Sequence, residues 1–134
     1  MVRLEIAALY AGANIFILLA LAFSVVQARR RYKVVLGDGD NPAVLRAVRA
    51  HGNAAEYIPA GIAGLTLLAL LDPAAPLWLL HAAGAALTLG RALHGIGLSV
   101  GEVNAGRVLG TLLTWIAFAL LGGGLIYAGL AQAL

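Results

Sequence analysis

Pro42-Ala-Val-Leu-Arg46-Ala-Val-Arg49-Ala-His51-Gly-Asn53-Ala-Ala-Glu56-Tyr57-Ile-Pro59 runs without a break into the apolar stretch 60–71. The apolar residues 58–71 alone fall short of the roughly 20 needed to cross a bilayer. They reach that length only if the polar residues back to about Pro42 belong to the same helix. A helix over 42–71 then carries a cation, an amide, an anion and a phenol at one end of a membrane span. Ionisable groups in that setting are costly, and a functional site is their default reading. At about 100° per residue, Arg46, Arg49, Asn53, Glu56 and Tyr57 share an arc of roughly 100°, while His51 and Pro59 point elsewhere. One polar stripe on an otherwise apolar helix suits a polar ligand.

Outward from this helix, the stretches 4–28, 77–98 and 108–131 are largely apolar as well. The chain of 134 residues is 62% hydrophobic and 11% charged, with a mean hydropathy of +0.93. Soluble domains carry about 25% charged residues, so the composition specifies an integral membrane protein. The spacing predicts an all-α fold, a four-helix bundle forming a single transmembrane domain over 1–134, with helices at about 4–30, 42–71, 74–98 and 104–131. Asn41 is the expected N-cap of the second helix, with Pro42 at its first position. Pro59 is a candidate kink, and Gly122-Gly123-Gly124 a candidate for close helix approach. The first stretch is too long for a signal-peptide core and runs straight into Arg29-Arg30-Arg31, so it is expected to stay in place as a span.

There is no cysteine, which removes disulfides, thiolate metal sites and a cysteine nucleophile. No metal site is expected. The net charge of +3 could suggest nucleic acid, but eight of the nine Lys and Arg lie between Arg29 and Arg107, in or beside the loops joining helices 1–2 and 3–4. The 2–3 loop and the C-terminal tail have none, and the N-terminus has only Arg3. By the positive-inside rule both basic loops face the cytoplasm and both termini face the other side. The basic surplus is a matter of membrane topology and of an anionic ligand, with no nucleic-acid partner.

Three polar clusters therefore share one membrane face. They are Arg29, Arg30, Arg31 and Lys33 ending helix 1, the stripe opening helix 2, and Arg91, His94 and Arg107 across the 3–4 loop. Arg91 and His94, three apart, are neighbours on one helix face. The set forms a cationic pocket with one carboxylate, suited to a small anion that also bears an amine. Each cluster has a plainer reading. The helix 1 cations can serve as a positive-inside anchor with snorkelling stems. Arg49 and Glu56 can form a structural ion pair, and a lone His94 can be a packed histidine. His81 reads as structural or interfacial, Tyr10 and Trp78 as aromatic-belt residues, and Glu102 as a loop charge.

The segment Arg49-Ala-His51-Gly-Asn53-Ala-Ala-Glu56-Tyr57-Ile-Pro59 resembles the signature of the MAPEG family, the membrane-associated proteins in eicosanoid and glutathione metabolism. Ala28-Arg29-Arg30-Arg31-Tyr32-Lys33-Val34 looks like the basic end of that family's first helix. Gly90-Arg91-Ala-Leu-His94, with Arg107 sixteen residues after Arg91, matches the spacing of its third and fourth helices. The resemblance covers nearly the whole chain and is nearest to the small bacterial branch, which places it in a bacterial inner membrane. It implies a homotrimer binding glutathione between neighbouring subunits, near the cytoplasmic face. Carried over, Arg49, Asn53, Glu56 and Tyr57 bind glutathione from helix 2. Arg29 and Arg30 join from helix 1, and Arg91 and His94 from helix 3. Arg107 matches the arginine held to stabilise the glutathione thiolate. His51, at a motif position that is His in some members and Gln in others, is likewise implied to bind glutathione. Leu98 falls where eicosanoid enzymes place a tyrosine, Val108 where prostaglandin E synthase has a serine, and Gly52 where some members have a basic side chain. These departures argue against a specific prostaglandin or leukotriene chemistry.

The chemistry agrees with the transfer. Glutathione offers two carboxylates, natural partners of arginine forks, and an ammonium, for which Glu56 is the carboxylate in the stripe. The implied function is a glutathione-dependent membrane transferase or peroxidase acting on hydrophobic electrophiles or lipid hydroperoxides, a detoxification chemistry. The alternative is a non-catalytic MAPEG-fold protein that binds a lipid or other ligand, like the lipoxygenase-activating member. Retention of Arg107 favours the first, since a scaffold has no evident need for that cation. A small multidrug-type transporter also has four helices. Such carriers use an isolated carboxylate in helix 1, whereas Glu56 lies in helix 2 among arginines.

Overall fold

A computed structural model describes residues 2–71, 75–101 and 103–133. Asp72 and Pro73 of the 2–3 turn and the loop charge Glu102 lie outside them. The described residues form α1 (Val2–Tyr32), α2 (Pro42–Leu71), α3 (Leu77–Val100) and α4 (Ala105–Ala133). α2 contacts the other three helices, α3 also packs on α1 and α4, and α1 and α4 do not meet among the described residues. By length and composition, α1, α2 and α4 can cross a membrane. α3 carries His81, Arg91 and His94 among its apolar residues and lies between α1 and α4.

The helix ends follow from local chemistry. Asn41 Oδ1 accepts from Ala43 N at 2.9 Å and from Val44 N at 3.3 Å, capping α2 ahead of Pro42. Pro59 sits inside an uninterrupted α2. α3 starts at Leu77, later than the expected 74, because Pro76 holds an extended N-cap backbone (φ −66°, ψ 139°) and disfavours helix in the residue before it. α1 ends when Lys33 adopts φ 57°, with Val34 N donating to Arg29 O at 3.0 Å. That six-residue closure is the Schellman arrangement, with a lysine where glycine is favoured.

Ile6, Ala7, Leu65, Leu68, Ala69, Leu80, Ala83 and Leu121 form a buried apolar core away from the basic loops. Leu9, Phe16, Leu19, Phe23 and Val26 form an exposed apolar stripe along α1, the face expected to meet lipid. Of the glycine triplet of α4, Gly124 alone provides the close approach expected of it. A Cβ there would lie 3.1 Å from Leu68 and 3.6 Å from Leu79, whereas one on Gly122 or Gly123 would meet nothing within 4 Å. A closer approach is made between α3 and the start of α4. A Cβ on Gly97 would lie 2.6 Å from Arg107 N, and one on Gly110 would lie 2.5 Å from His94 N. Two backbones touch there because neither has a side chain to hold them apart. This crossing brings the polar residues of α3 and α4 together.

Candidate functional site

Arg91 is the centre of the arrangement. It is 2% exposed, and its guanidinium bonds neutral partners on two other helices. Nε donates to Thr114 Oγ1 at 2.9 Å, Nη1 to Asn53 Oδ1 at 2.7 Å, and Nη2 to Gly110 O at 3.4 Å. The guanidinium carbon also lies 4.9 Å from the centre of the Tyr57 ring, a cation–π distance. Tyr57 in turn meets Phe118 edge-on at 5.6 Å. No carboxylate lies within 4.0 Å of Arg91 among the described residues.

The helix 2 stripe divides along its width. On the helical wheel its members run Glu56, Arg49, Asn53, Arg46, Tyr57 across roughly 100°. Asn53 and Tyr57 turn inward to Arg91, and Arg46 reaches toward the end of α3, its Cδ 3.6 Å from a Cβ built on Gly101. Arg49 and Glu56, at the other edge, are exposed and make no ion pair with each other. The structural ion pair between them is therefore not formed within this chain. His51 is half-buried on another side of α2, as its angle required.

Arg107 is set by the start of α4. Asn104 Oδ1 accepts from Arg107 N at 3.2 Å, while Asn104 Nδ2 donates to Gly97 O at 2.8 Å, so one side chain caps α4 and ties it to α3. The Arg107 side chain is half-buried, with Nη1 3.5 Å from Gly101 O. It shares a groove of about 280 Å³ with His94, Val103, Val108, Thr111, Leu112 and Trp115. An inner chamber of about 100 Å³ has His94, Thr111 and Trp115 in common with that groove and adds Asn53, Tyr57, Arg91 and Thr114. Sequence reasoning missed Thr111, Thr114 and Trp115. The available signal was their spacing, since all three fall one or two turns beyond Arg107.

Arg29 and Arg30 line a separate cavity of about 380 Å³ with Val26, Lys33, Val34 and Val35 at the end of α1. Arg29 Nη2 donates to Gly37 O at 3.1 Å, and its buried Nε has no partner among the described residues. Among the described residues these polar side chains thus form three groups. Asn53, Tyr57, Arg91, His94 and Arg107 line connected spaces, whereas Arg29 and Arg30 line another, and Arg49 and Glu56 lie on the outside.

A second polar set lies between α1 and α3. Asn14, fully buried, donates from Nδ2 to Tyr10 O and to Thr88 Oγ1, each at 2.8 Å. The Tyr10 hydroxyl lies 3.0 Å from His81 Nδ1. Tyr10 is thus more than an aromatic-belt residue, since it joins two helices. A polar side chain inside an apolar span tends to find a partner on another helix.

The MAPEG family model matches residues 7–127, which covers the site and all four helices. The chain belongs to the MAPEG family. It is similar to the inner membrane protein YecN of Escherichia coli K12, with 36% identity over 116 residues, 87% of this chain and 86% of the relative. The same protein from Escherichia coli O6:H1 matches to the same extent. MAPEG membership fits the apolar helices described above, and it connects this integral membrane chain with a family that includes glutathione transferases and peroxidases.

Proposed function

We propose that this MAPEG protein is a glutathione-dependent transferase or peroxidase of a bacterial inner membrane, working as a homotrimer with both termini on the non-cytoplasmic side. The observation that carries this reading is the placement of half-buried Arg107 and His94 on an apolar groove of about 280 Å³. A cation at the edge of an apolar groove is what a nucleophilic anion and a hydrophobic acceptor require together.

The residues fit glutathione. Arg29, Arg30 and Arg49 offer forks for its two carboxylates, and exposed Glu56, with no cation partner among the described residues, suits its ammonium. Glutathione would supply the thiolate that attacks a carbon electrophile, displacing its leaving group or adding to its double bond. With a hydroperoxide, the thiolate attacks an oxygen and breaks the O–O bond, giving an alcohol and a glutathione sulfenic acid. A second glutathione converts that acid to the disulfide and water. A free thiol titrates near 8.5, and lowering that by about two units takes roughly 2.7 kcal/mol of preference for the thiolate. Arg107 is the residue positioned to provide it, as a partly desolvated cation. Asn53 and Tyr57 are held by Arg91, and so present a preset edge to the ligand. Val103, Val108 and Leu112 give the acceptor an apolar wall. The separation of Arg29 and Arg30 from Arg107 supports an assembly in which neighbouring subunits complete each site.

The test is glutathione binding to detergent-purified protein, followed by ultraviolet difference absorption for the thiolate. Saturable binding with a thiolate band that disappears in Arg107→Ala is the expected result. Binding with an unchanged band would remove the activating role from Arg107, and no binding at millimolar glutathione would overturn the proposal.

A further inference from the structure

The inner chamber is rich in donors and poor in acceptors. Asn53 Oδ1 accepts from Arg91 Nη1 and Thr114 Oγ1 from Arg91 Nε, which leaves the His94 ring, Thr111 Oγ1 and the Tyr57 oxygen as the further acceptors of the lining. Both threonine hydroxyl protons go to backbone carbonyls, Thr111 to Arg107 O at 2.9 Å and Thr114 to Gly110 O at 2.8 Å. The donors are in surplus. Arginine has five N–H groups, and the three bonds of Arg91 leave two. Because Asn53 presents its oxygen to Arg91, its amide nitrogen has no partner among the described residues. The Tyr57 hydroxyl and the Trp115 indole N–H are likewise unclaimed among them. At the centre is a cation, 2% exposed, with no carboxylate beside it. Buried charges are normally paired, and the chamber has a space of about 100 Å³ next to this one.

We infer that the chamber is a binding site for a small monovalent anion of halide size, which serves as the counterion of Arg91. A water occupies about 30 Å³ in the liquid, so the chamber holds a halide with one or two waters and excludes glutathione as a whole. Water alone answers the donors less well, since it brings a donor for every acceptor and no charge. The shared lining of His94, Thr111 and Trp115 gives the ion a path from the outer groove. The chamber shares Asn53, Tyr57 and His94 with the proposed glutathione site, but the inference rests on the contacts of Arg91, and its test contains no glutathione.

The protein has two tryptophans, so Trp78→Phe leaves Trp115 as the sole indole reporter. In detergent, iodide titrated against gluconate at constant ionic strength is expected to quench Trp115 along a saturating curve, with bromide competing. Bromide is also expected to raise the thermal midpoint by a few degrees over gluconate. Asn53→Asp, which places a fixed carboxylate beside Arg91, should abolish both effects, and Arg3→Gln at the opposite end of α1 should preserve them. Linear, non-saturating quenching would overturn the site, as would equal midpoints in bromide and gluconate. Should Asn53→Asp fail to fold, the shape of the iodide curve in Trp78→Phe decides the matter alone. Loss of the effects in Arg3→Gln would assign them to cations outside the chamber instead.

Discussion

Arg91 Nη1 donates to Asn53 Oδ1 across 2.7 Å, and through that contact α3 fixes the inner edge of the α2 stripe. The same guanidinium reaches α4 through Thr114 and Gly110. One cation therefore orients three helices at the polar end of the bundle, with neutral acceptors and an aromatic face in place of a carboxylate.

Arg91→Ala is expected to cost about 2–4 kcal/mol, from lost charge-assisted hydrogen bonds and the space left behind. Arg49→Ala, on an exposed side chain with no bond among the described residues, should stay within about 0.5 kcal/mol. Unfolding in detergent compares the two. Similar losses would show that Arg91 does not organise the packing.

The α3–α4 crossing predicts a contrast among glycines. Gly97→Ala and Gly110→Ala each place a Cβ against backbone at 2.6 and 2.5 Å, and overpacking of this kind costs about 1–3 kcal/mol. Gly122→Ala and Gly123→Ala meet nothing within 4 Å and should be neutral or mildly stabilising, by up to about 1 kcal/mol. Thermal midpoints of the four variants would show whether the contact lies at the start of α4 or at the triplet.

Asn104→Ala removes the cap of α4 and its tie to Gly97. A loss of about 0.5–2 kcal/mol is expected, together with a weaker thiolate band on glutathione, because Arg107 follows the first turn it sits on. A stable variant with an intact band would separate the cap from the site.

Lys33 holds φ 57° at the end of α1. Lys33→Gly relieves that conformation and should stabilise the protein by about 0.5–1 kcal/mol. A drop in the midpoint would mean that the lysine charge contributes more than its backbone costs.

Glu56→Gln keeps the size of an exposed side chain and removes its charge. Glutathione affinity is expected to fall at least several-fold while the thermal midpoint stays unchanged. Unaltered affinity would leave Glu56 without a role in binding the ammonium.

The four helices and the Asn41 cap could be read from the sequence because length, hydropathy and a turn signature are local properties. The stripe was legible as a face, but which edge turned inward was not. A helical wheel sets angles within one helix and leaves its rotation against the others open. Arg91 supplied that rotation, and its hold on Asn53 and Tyr57 depends on residues 38 and 34 positions apart. Only Gly124 of the glycine triplet packs closely, for the same reason. Three small residues in a row spread over about 200° of a helix, so their presence does not select which one meets a neighbour. Asn14 and Thr88 are each unremarkable in sequence, and only the packing of α1 on α3 makes them a pair.

Because α1 and α4 do not meet among the described residues, the bundle has two unlike flanks, with α1 along one and α4 along the other. Copies joined flank to flank would each use two different surfaces, as in a head-to-tail contact. Such contacts either close into a ring or continue as an open filament. The angle at which the flanks meet would then set the number of copies, so a mutation that changed this angle could alter the assembly without touching any polar residue of the site.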